Sequence, residues 1–471
     1  MRFLIHRIIV MMLVFTVVTT IFSATASAQA LEETSATNEK TPREREQALL
    51  DLDAFIMDSS EEQGKVSLEE SFGPEDATEI VQTQNGNAWQ DTRVQAQLRS
   101  YYLDRERYDN SESTALALGG FVGLKTGYFW DRLALGATAY TSQPLYAPIG
   151  KGGTDLLAPV QQPYSVVGEV YGEYRLTDSI RIDVGRKGIN TSYINESDVR
   201  MTPNTFQLAA LIGQLDSADA STQWRFGAGY VDKIKERTSE KFVSMAEAAG
   251  VFGVDRGVYV GGVNYLKRFQ RSEFTIGAVD FYSKDILNIF YTEAKYTRPL
   301  ADHMIMQLAA QYSLQNSTGD DLQTGAPFST NQLGIQAELA VGAALFSTSW
   351  MGNSSGADLQ SPWGGIPSYN SVQVEDFNYA GVESILLRAA YTFKSVPGLS
   401  TYALWVNGSK PDNANLLAQD EYDFNLEWLA DKGFFKGWSV RVRYAYVTQQ
   451  EIGGSNFNDF RLIFNYDPPL L

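Results

Sequence analysis

Segments of alternating apolar and polar residues follow one another along the chain from Arg93 to Tyr466. About eighteen of them can be counted, and most span about 8–13 residues, the length that a tilted strand needs to cross a bilayer. The two-residue period puts one face of each strand against an apolar medium and the other face against water. A sheet that meets lipid must close on itself, because a barrel satisfies every backbone polar group.

The connections between these segments differ in length in a regular way. Thr177-Asp178 and Gln270-Arg271 are tight turns, whereas 142–165, 236–257 and 351–385 are long. Short turns at one end and long loops at the other are typical of outer-membrane barrels. The sequence therefore predicts an all-β protein, a transmembrane antiparallel up-and-down β-barrel of about 18 strands over residues 91–471. Lys284-Asp285 is an exception, because it is tight where a long loop is expected.

The first 90 residues differ from the rest in composition. Residues 1–28 read as a cleaved signal peptide, with Arg2 and Arg7 before an apolar stretch and a small-residue site at Ala28; cleavage after Ala30 is the alternative. Residues 29–90 form an acidic, largely disordered extension with one short amphipathic helix predicted within Thr41–Met57. We expect this extension in the periplasm, either as a solvated tail or as a plug or partner-binding segment.

Composition also excludes several classes of function. The chain has no cysteine, which excludes thiol chemistry. Its net charge of -18 argues against nucleic acid as a partner. Only His303 remains after removal of the signal peptide, and it lies beside a predicted turn, so a catalytic base or a His/Cys metal site is not expected. No phosphate-binding loop or nucleophile elbow is present. The sequence thus predicts neither an enzyme nor a cofactor.

A long polar loop, residues 188–204, separates the predicted strands Ile180–Lys187 and Thr205–Leu215. Loops of this length are often functional, and we expect this one, the third on the outer side, to fold into the barrel and narrow it; an ordinary surface loop is the alternative. Arg200 within it either faces the pore or pins the loop to the wall through a carboxylate. The candidate constriction residues are Asn190, Tyr193, Asn195, Glu196, Asp198 and Arg200.

Basic side chains recur on the polar faces of the predicted strands. Arg441 and Arg443 alternate with Val440 and Val442, and a charge on the lipid face costs about 2–4 kcal/mol at mid-membrane, so these arginines should face the lumen. A row of such groups would offer an anionic solute successive charge-assisted hydrogen bonds. The alternative is that they only neutralise lumen acids. The candidates are Arg99, Arg181, Lys187, Lys295, Arg388, Arg441, Arg443 and Arg461.

Parts of the chain resemble the OprD-type family of substrate-specific outer-membrane porins. The run RKGINTSYINESDVRMTPNTF at 186–206 is similar to the third extracellular loop of that family, and looser matches occur at 99–105, 152–157, 396–400 and 460–466. The resemblance covers about residue 90 to the end. It implies eighteen strands, a narrowing third loop, monomers or loose trimers, and a ladder of basic residues opposed by acidic ones. The acidic candidates are Glu169, Glu173, Asp183, Glu196, Asp198, Asp423 and Glu427.

The sequence departs from the family pattern at both ends. The acidic extension is one departure. The other is the C-terminus, Pro468-Pro469-Leu470-Leu471, which lacks the terminal aromatic residue that the barrel-assembly machinery commonly recognises. Phe464 and Tyr466 are the candidates for that signal.

The expected function is passive, substrate-selective diffusion of small carboxylate-bearing solutes across the outer membrane. The expected partners are outer-membrane lipid, these solutes and the barrel-assembly machinery. The alternative is a non-conducting outer-membrane barrel with an adhesin-like or structural role, in which the long loops serve binding. An outer-membrane hydrolase is disfavoured, because His303 is expected at the inner rim.

Overall fold

A computed structural model describes residues 88–449 and 456–468, and these residues form one closed β-barrel. The strands are β1 (Arg93–Glu106), β2 (Glu112–Lys125), β3 (Leu133–Tyr146), β4 (Tyr164–Thr177), β5 (Ile180–Lys187), β6 (Thr205–Asp216), β7 (Thr222–Lys235), β8 (Val243–Ser244), β9 (Val258–Phe269), β10 (Ser272–Ser283), β11 (Leu287–Ala301), β12 (Met304–Ser317), β13 (Ser329–Val341), β14 (Ala344–Asn353), β15 (Glu383–Thr392), β16 (Leu399–Gly408), β17 (Gln419–Leu429), β18 (Trp438–Gln449) and β19 (Phe457–Tyr466).

Eighteen of these strands make the wall, and all pair antiparallel. β8 is a two-residue strand that pairs with β7 beside the wall, so β7 continues to β9 in the ring. The ring closes where β1 pairs with β19, with Arg99 opposite Asn465. Closure leaves no strand edge with unpaired backbone groups, which is what lipid requires. The predicted fold class is confirmed.

The bounds of β5 coincide with the expected Ile180–Lys187, and β6 extends one residue beyond the expected Thr205–Leu215. The tight connection at Lys284-Asp285 is explained by its neighbour, the loop 318–328. Leu322 donates its backbone N–H to the Asp285 carbonyl at 2.9 Å, and the Thr318 hydroxyl donates to the Ser283 carbonyl at 2.7 Å. The neighbouring loop therefore covers this end of the barrel. β8 and the helical turn Met245–Ala248 were not predicted, because both are short elements inside a long loop.

The two faces of the wall differ in chemistry as the alternation predicts. On β15, Leu387 points outward and is 50% exposed, whereas its neighbour Arg388 points into the lumen opposite Leu404. On β5, Ile182 and Val184 point outward while Asp183 is buried inside. An apolar outer surface that encircles the protein is the surface of a membrane-spanning barrel. Within residues 88–449 and 456–468, no helix has the length and apolar character needed to cross a membrane.

Three of the sequence predictions fall outside the described residues. These are the signal peptide 1–28, nearly all of the acidic extension (29–87) with its predicted helix, and the final residues 469–471.

We expect Leu387→Arg to destabilise the barrel, because it places a charge on the lipid face near the middle of β15. The expected loss is about 2–4 kcal/mol in the free energy of unfolding, measured by urea titration in lipid vesicles. Val396→Arg is the matched control, since Val396 is similarly exposed but lies in the turn between β15 and β16. Equal losses for the two variants would contradict the assignment of the outer face.

Candidate solute pathway

Loop 3, residues 188–204, folds inside the barrel and reaches opposite walls. The Tyr193 hydroxyl bonds the Ser313 hydroxyl of β12 at 2.7 Å, and the Asp198 carboxylate forms an ion pair with Arg99 of β1 at 2.7 Å. In the ring of eighteen, β12 and β1 are eight strands apart one way and ten the other. Loop 3 therefore crosses the lumen close to a diameter.

One half of the lumen is filled by apolar side chains. Tyr193 of loop 3, Met245 of loop 4 (residues 236–257) and Trp363 of loop 7 (residues 354–382) are fully buried together against the inner faces of β6–β11. The Trp363 indole N–H donates to the Met245 carbonyl at 2.8 Å, and Asn195 and Gly365 exchange two hydrogen bonds between loops 3 and 7. This packing closes the side of β6–β11 to water and solutes.

Loop 7 is fixed in the lumen by carboxylates of β17. Both oxygens of Glu421 accept backbone N–H groups, from Val374 and from Glu375, at 2.8 Å each. Asp423 accepts the backbone N–H of Gln373 at 3.0 Å. Two wall acids thus satisfy three consecutive backbone donors, which is why an irregular segment can be buried at this depth.

The side chain and carbonyl of Gln373 complete this attachment on β19. The Arg461 guanidinium donates to the Gln373 carbonyl at 2.8 Å, and the Gln373 side-chain amide donates to Asp459 at 2.9 Å. Asp459 also pairs with Arg461 at 2.5 Å and with Arg105 at 2.7 Å. Arg461 therefore holds loop 7 as well as facing the lumen.

The predicted basic residues fall into three groups. The largest lies on what we call the seam wall, the inner face of β15–β19 and β1, which lies opposite the apolar half. Its members among the candidates are Arg388, Arg441, Arg443, Arg461 and Arg99. Four of the five lie on β18, β19 and β1, which are consecutive around the closure of the ring, and Arg388 lies on β15.

Contacts along the seam wall hold several of these guanidinium groups in place. Arg388 lies over the Tyr402 ring at 4.4 Å, and Arg443 donates to the Tyr402 hydroxyl at 3.5 Å. Arg441 donates to Asn425 at 2.7 Å and lies 3.4 Å from the Glu427 carboxylate. Tyr402 thus joins the arginines of β15 and β18 across the intervening strands.

A second group lies on β5 and is closely paired with acids. Lys187 forms ion pairs with Glu173 at 2.7 Å and with Asp183 at 2.9 Å, and Lys125 pairs with the other oxygen of Glu173 at 3.0 Å. Arg181 is fully buried beside Asp183 at 3.2 Å. The alternation of β2 also places Lys125 in the lumen, so this residue could have been predicted.

Lys295 stands apart from both groups. It lies on the inner face of β11, 3.8 Å from Glu293. The Tyr369 hydroxyl of loop 7 donates to the other Glu293 oxygen at 3.0 Å. The eight candidate bases therefore do not form one row.

Most of the candidate residues of loop 3 hold the loop together rather than facing water. Asn190 exchanges hydrogen bonds with Glu196, and Glu196 lies so close to Gly188 that any side chain there would collide with its carboxylate. Glu169 of β4 accepts the Gly188 backbone N–H at 3.3 Å and so fixes the start of the loop. Of the six candidates, Asp198 is exposed, with 41% of its side chain open to solvent.

Arg200 is held in place by backbone carbonyl groups of loop 2 (residues 147–163) and loop 3. It is 7% exposed and pins loop 3 to loop 2, but through the Thr154 carbonyl at 3.2 Å and not through a carboxylate. A second donor bonds the Val199 carbonyl at 2.9 Å. Within the described part of the chain, no carboxylate lies within ion-pairing distance of its guanidinium. Burial, and the nearby charge of Arg461, lower the pKa of Arg200 to about 9, so it remains a cation at neutral pH.

Comparison of the sequence with models of protein families identifies the family of this chain. The model described as "outer membrane porin, OprD family" matches residues 87–470, which include the whole barrel. The chain belongs to the OprD family. This OprD-family porin is accordingly an outer-membrane channel protein, and family and fold point to a channel rather than an enzyme. A search of curated proteins found no match.

Solved porin structures share the fold. OpdK of Pseudomonas aeruginosa, determined with vanillate, has a TM-score of 0.69 at 17% identity and covers 81% of this chain and 100% of that chain. OccAB2 of Acinetobacter baumannii has a TM-score of 0.70 at 19% identity, covering 82% and 99%. A BenF-like porin from Pseudomonas fluorescens Pf-5 has a TM-score of 0.70 at 16% identity, covering 82% and 100%. At these identities the likeness shows the fold alone.

We expect Glu421→Ala to loosen loop 7, because it leaves two buried N–H groups without acceptors at about 1–3 kcal/mol each. Single-channel recordings should show a larger mean conductance and more frequent switching between levels. Glu383→Ala, at an exposed strand end, is the control and should behave as the native porin. A Glu421→Ala trace that matches the control would contradict the role given to this carboxylate.

Glu375 of loop 7 accepts a hydrogen bond from Gln419, the first residue of β17, at 3.3 Å, and it provides a pH-dependent charge. Burial, with a contribution from Asp376, raises the pKa of Glu375 to about 7, against the opposing effects of Gln419 and Arg105. Because the folded state binds this proton more tightly than the unfolded chain, Glu375 favours folding increasingly as the pH falls through about 7 towards its usual pKa.

The same group should affect ion selectivity. From about pH 8 to about pH 6 the carboxylate becomes neutral, so the reversal potential in a salt gradient should shift towards anions. In Glu375→Gln this part of the shift should be absent. An identical pH profile for the two proteins would assign the shift to other groups.

Proposed function

We propose that this OprD-family porin passes small carboxylate-bearing solutes by passive, selective diffusion along the seam wall. The observation that carries the proposal is Arg200, a buried arginine of loop 3 that has carbonyl partners but no carboxylate. A buried cation with no carboxylate in contact is costly. Asp459 attracts Arg200 only from a distance, and the charges of Arg461, Arg237 and Arg105 increase the cost. An anionic solute in the constriction would supply a negative charge in direct contact.

The pairing of the other arginines supports the same direction. Along the seam wall, Arg99, Arg105, Arg441 and Arg461 have carboxylate partners in Asp198, Asp459 and Glu427. Asp198 and Glu427 are partly open to solvent, so an incoming carboxylate can replace them as hydrogen-bond acceptors. Several weak sites in sequence allow a solute to enter and to leave, which a channel needs.

The three groups of basic residues receive different roles in this proposal. We assign solute contact to the seam wall. Arg181 and Lys187 are assigned to structural ion pairing, because they form close ion pairs with Asp183 and, for Lys187, also with Glu173. Lys295 and Glu293, held by Tyr369, lie at the margin of loop 7 and are assigned to the support of that loop. The basic ladder is thus shorter than the sequence suggested.

Aromatic acids are the favoured substrate class within this proposal. OpdK, which shares the fold, was determined with vanillate, an aromatic carboxylate. Tyr402 lies between the arginines of β15 and β18, and an aromatic ring can stack on a guanidinium or on a tyrosine while its carboxylate is bound.

The proposal predicts that benzoate blocks single-channel current in the native porin more strongly than arginine does. Arg200→Lys should retain most of this block, because the charge remains. Arg200→Gln should weaken it by about 1.5–3 kcal/mol, roughly 10- to 140-fold in the blocking constant. Both substitutions alter the bonds to Thr154 and Val199, so a difference between them reports the charge.

Two results would count against the proposal. Equal block of the Lys and Gln variants would remove Arg200 from the binding site. Large currents that benzoate leaves unchanged in the native protein would indicate a general porin, and the seam-wall arginines would then serve only lumen neutralisation.

A further inference from the structure

The turn between β17 and β18, residues 430–437, carries two aromatic rings at its tip. Phe434 is 93% exposed and Phe435 is 53% exposed. Two exposed lysines, Lys432 and Lys436, flank them. Tight turns are usually made of small and polar residues, so adjacent exposed phenyl rings are not explained by chain reversal alone.

The tip is held in one conformation by backbone hydrogen bonds. The N–H of Ala430 donates to the Trp438 carbonyl at 2.8 Å, and the N–H of Gly437 donates to the Ala430 carbonyl at 2.9 Å. The Asp467 N–H donates to the Gly437 carbonyl at 2.8 Å, which ties the turn to the end of the last strand. Gly437 has φ +86, and a side chain there would collide with the Asp467 carbonyl, so the close approach requires glycine.

The rings of the turn continue the lipid-facing surface of the barrel. Trp428 points outward, because its neighbour Glu427 points into the lumen opposite Arg441. Phe435 packs edge-on against Trp428 at 6.1 Å, and Phe434 packs against Phe435 at 5.1 Å. The turn therefore leans towards the membrane side, and Phe434 lies farthest from the strands.

Short turns of outer-membrane barrels face the periplasm, where the inner leaflet consists of phospholipid. Aromatic rings favour the membrane–water interface, and lysine binds phosphate as a point charge. We propose that the turn 430–437 is a membrane anchor. It buries Phe434 and Phe435 in the inner leaflet of the outer membrane and binds the phosphate groups of anionic phospholipids through Lys432 and Lys436.

Turns at the same end differ in their tips. Gln270-Arg271 joins β9 to β10, and Asp302-His303 joins β11 to β12, and neither has an apolar tip, whereas residues 126–132 between β2 and β3 expose Trp130. The exposed aromatic tips among these turns therefore lie on the side of the ring closure. The anchor lies beside the closure of the ring, since β18 and β19 separate it from β1. It therefore fixes the depth of the seam side of the barrel.

The absence of cysteine allows a direct test in the full chain. Asp431→Cys places a nitroxide label on the turn while keeping both phenylalanines and both lysines, and His303→Cys provides the matched label on a polar turn. The proteins are reconstituted in vesicles of phosphatidylethanolamine with phosphatidylglycerol. Electron paramagnetic resonance then measures the label's accessibility to oxygen, which partitions into lipid, and to a water-soluble nickel chelate.

The expected result is a higher ratio of oxygen to nickel accessibility at 431 than at 303. Phe434→Ser with Phe435→Ser should lower the ratio at 431 to that at 303. Lys432→Gln with Lys436→Gln should remove its dependence on phosphatidylglycerol. Native single-channel conductance of each labelled variant shows that the barrel is intact.

Three results would overturn the proposal. Nickel accessibility at 431 equal to that at 303 would place the turn in water. Protection from both reagents would mean that a protein segment covers the turn. A ratio that does not respond to phosphatidylglycerol in the native turn would remove the lysines from headgroup binding.

Discussion

The structure depends on the pairing of β1 with β19. A strand edge in lipid would leave a row of backbone donors and acceptors without partners, so the sheet is stable in the membrane only as a closed ring. Closure with eighteen strands leaves an interior too wide for wall side chains to fill. The loops must fill it, and the way they do so determines what can pass.

The loops fill the interior unevenly. On the side of β6–β11 they pack an apolar core in which Tyr193 and Trp363 are fully buried. On the other side, wall carboxylates and arginines bind the backbone of loop 7. Hydrophobic packing closes one half, and polar contacts hold loop 7 against the other half. The two halves of the interior differ in chemistry, and loop 3 crosses the lumen to contact both.

Much of the wall could be predicted from the sequence, and most of the lumen could not. The alternation of apolar and polar residues predicted a strand at Ile180–Lys187 and an inward side chain at Arg461, because both depend on a local two-residue period. The pairing of Arg200 with Thr154 joins two loops that no period relates. Loop 7 was expected only as a long outer loop. Nothing in its composition shows that Glu421 of the wall accepts its backbone N–H groups, because Glu421 lies 46 residues after Glu375 in the sequence. Periodicity predicts which face a strand residue occupies, but loop contacts are set by tertiary packing.

Glu421 and Asp423 can also be regarded as an internal substitute for a solute. They present carboxylate oxygens to a run of backbone amides, which is the arrangement that many proteins use to bind a free anion. Because the wall already occupies those amides, this stretch of backbone on loop 7 is closed to a passing anion. Under the proposed function, discrimination falls to side chains such as Arg200. Substitutions at such side chains would change what the channel admits while leaving the attachment of loop 7 intact.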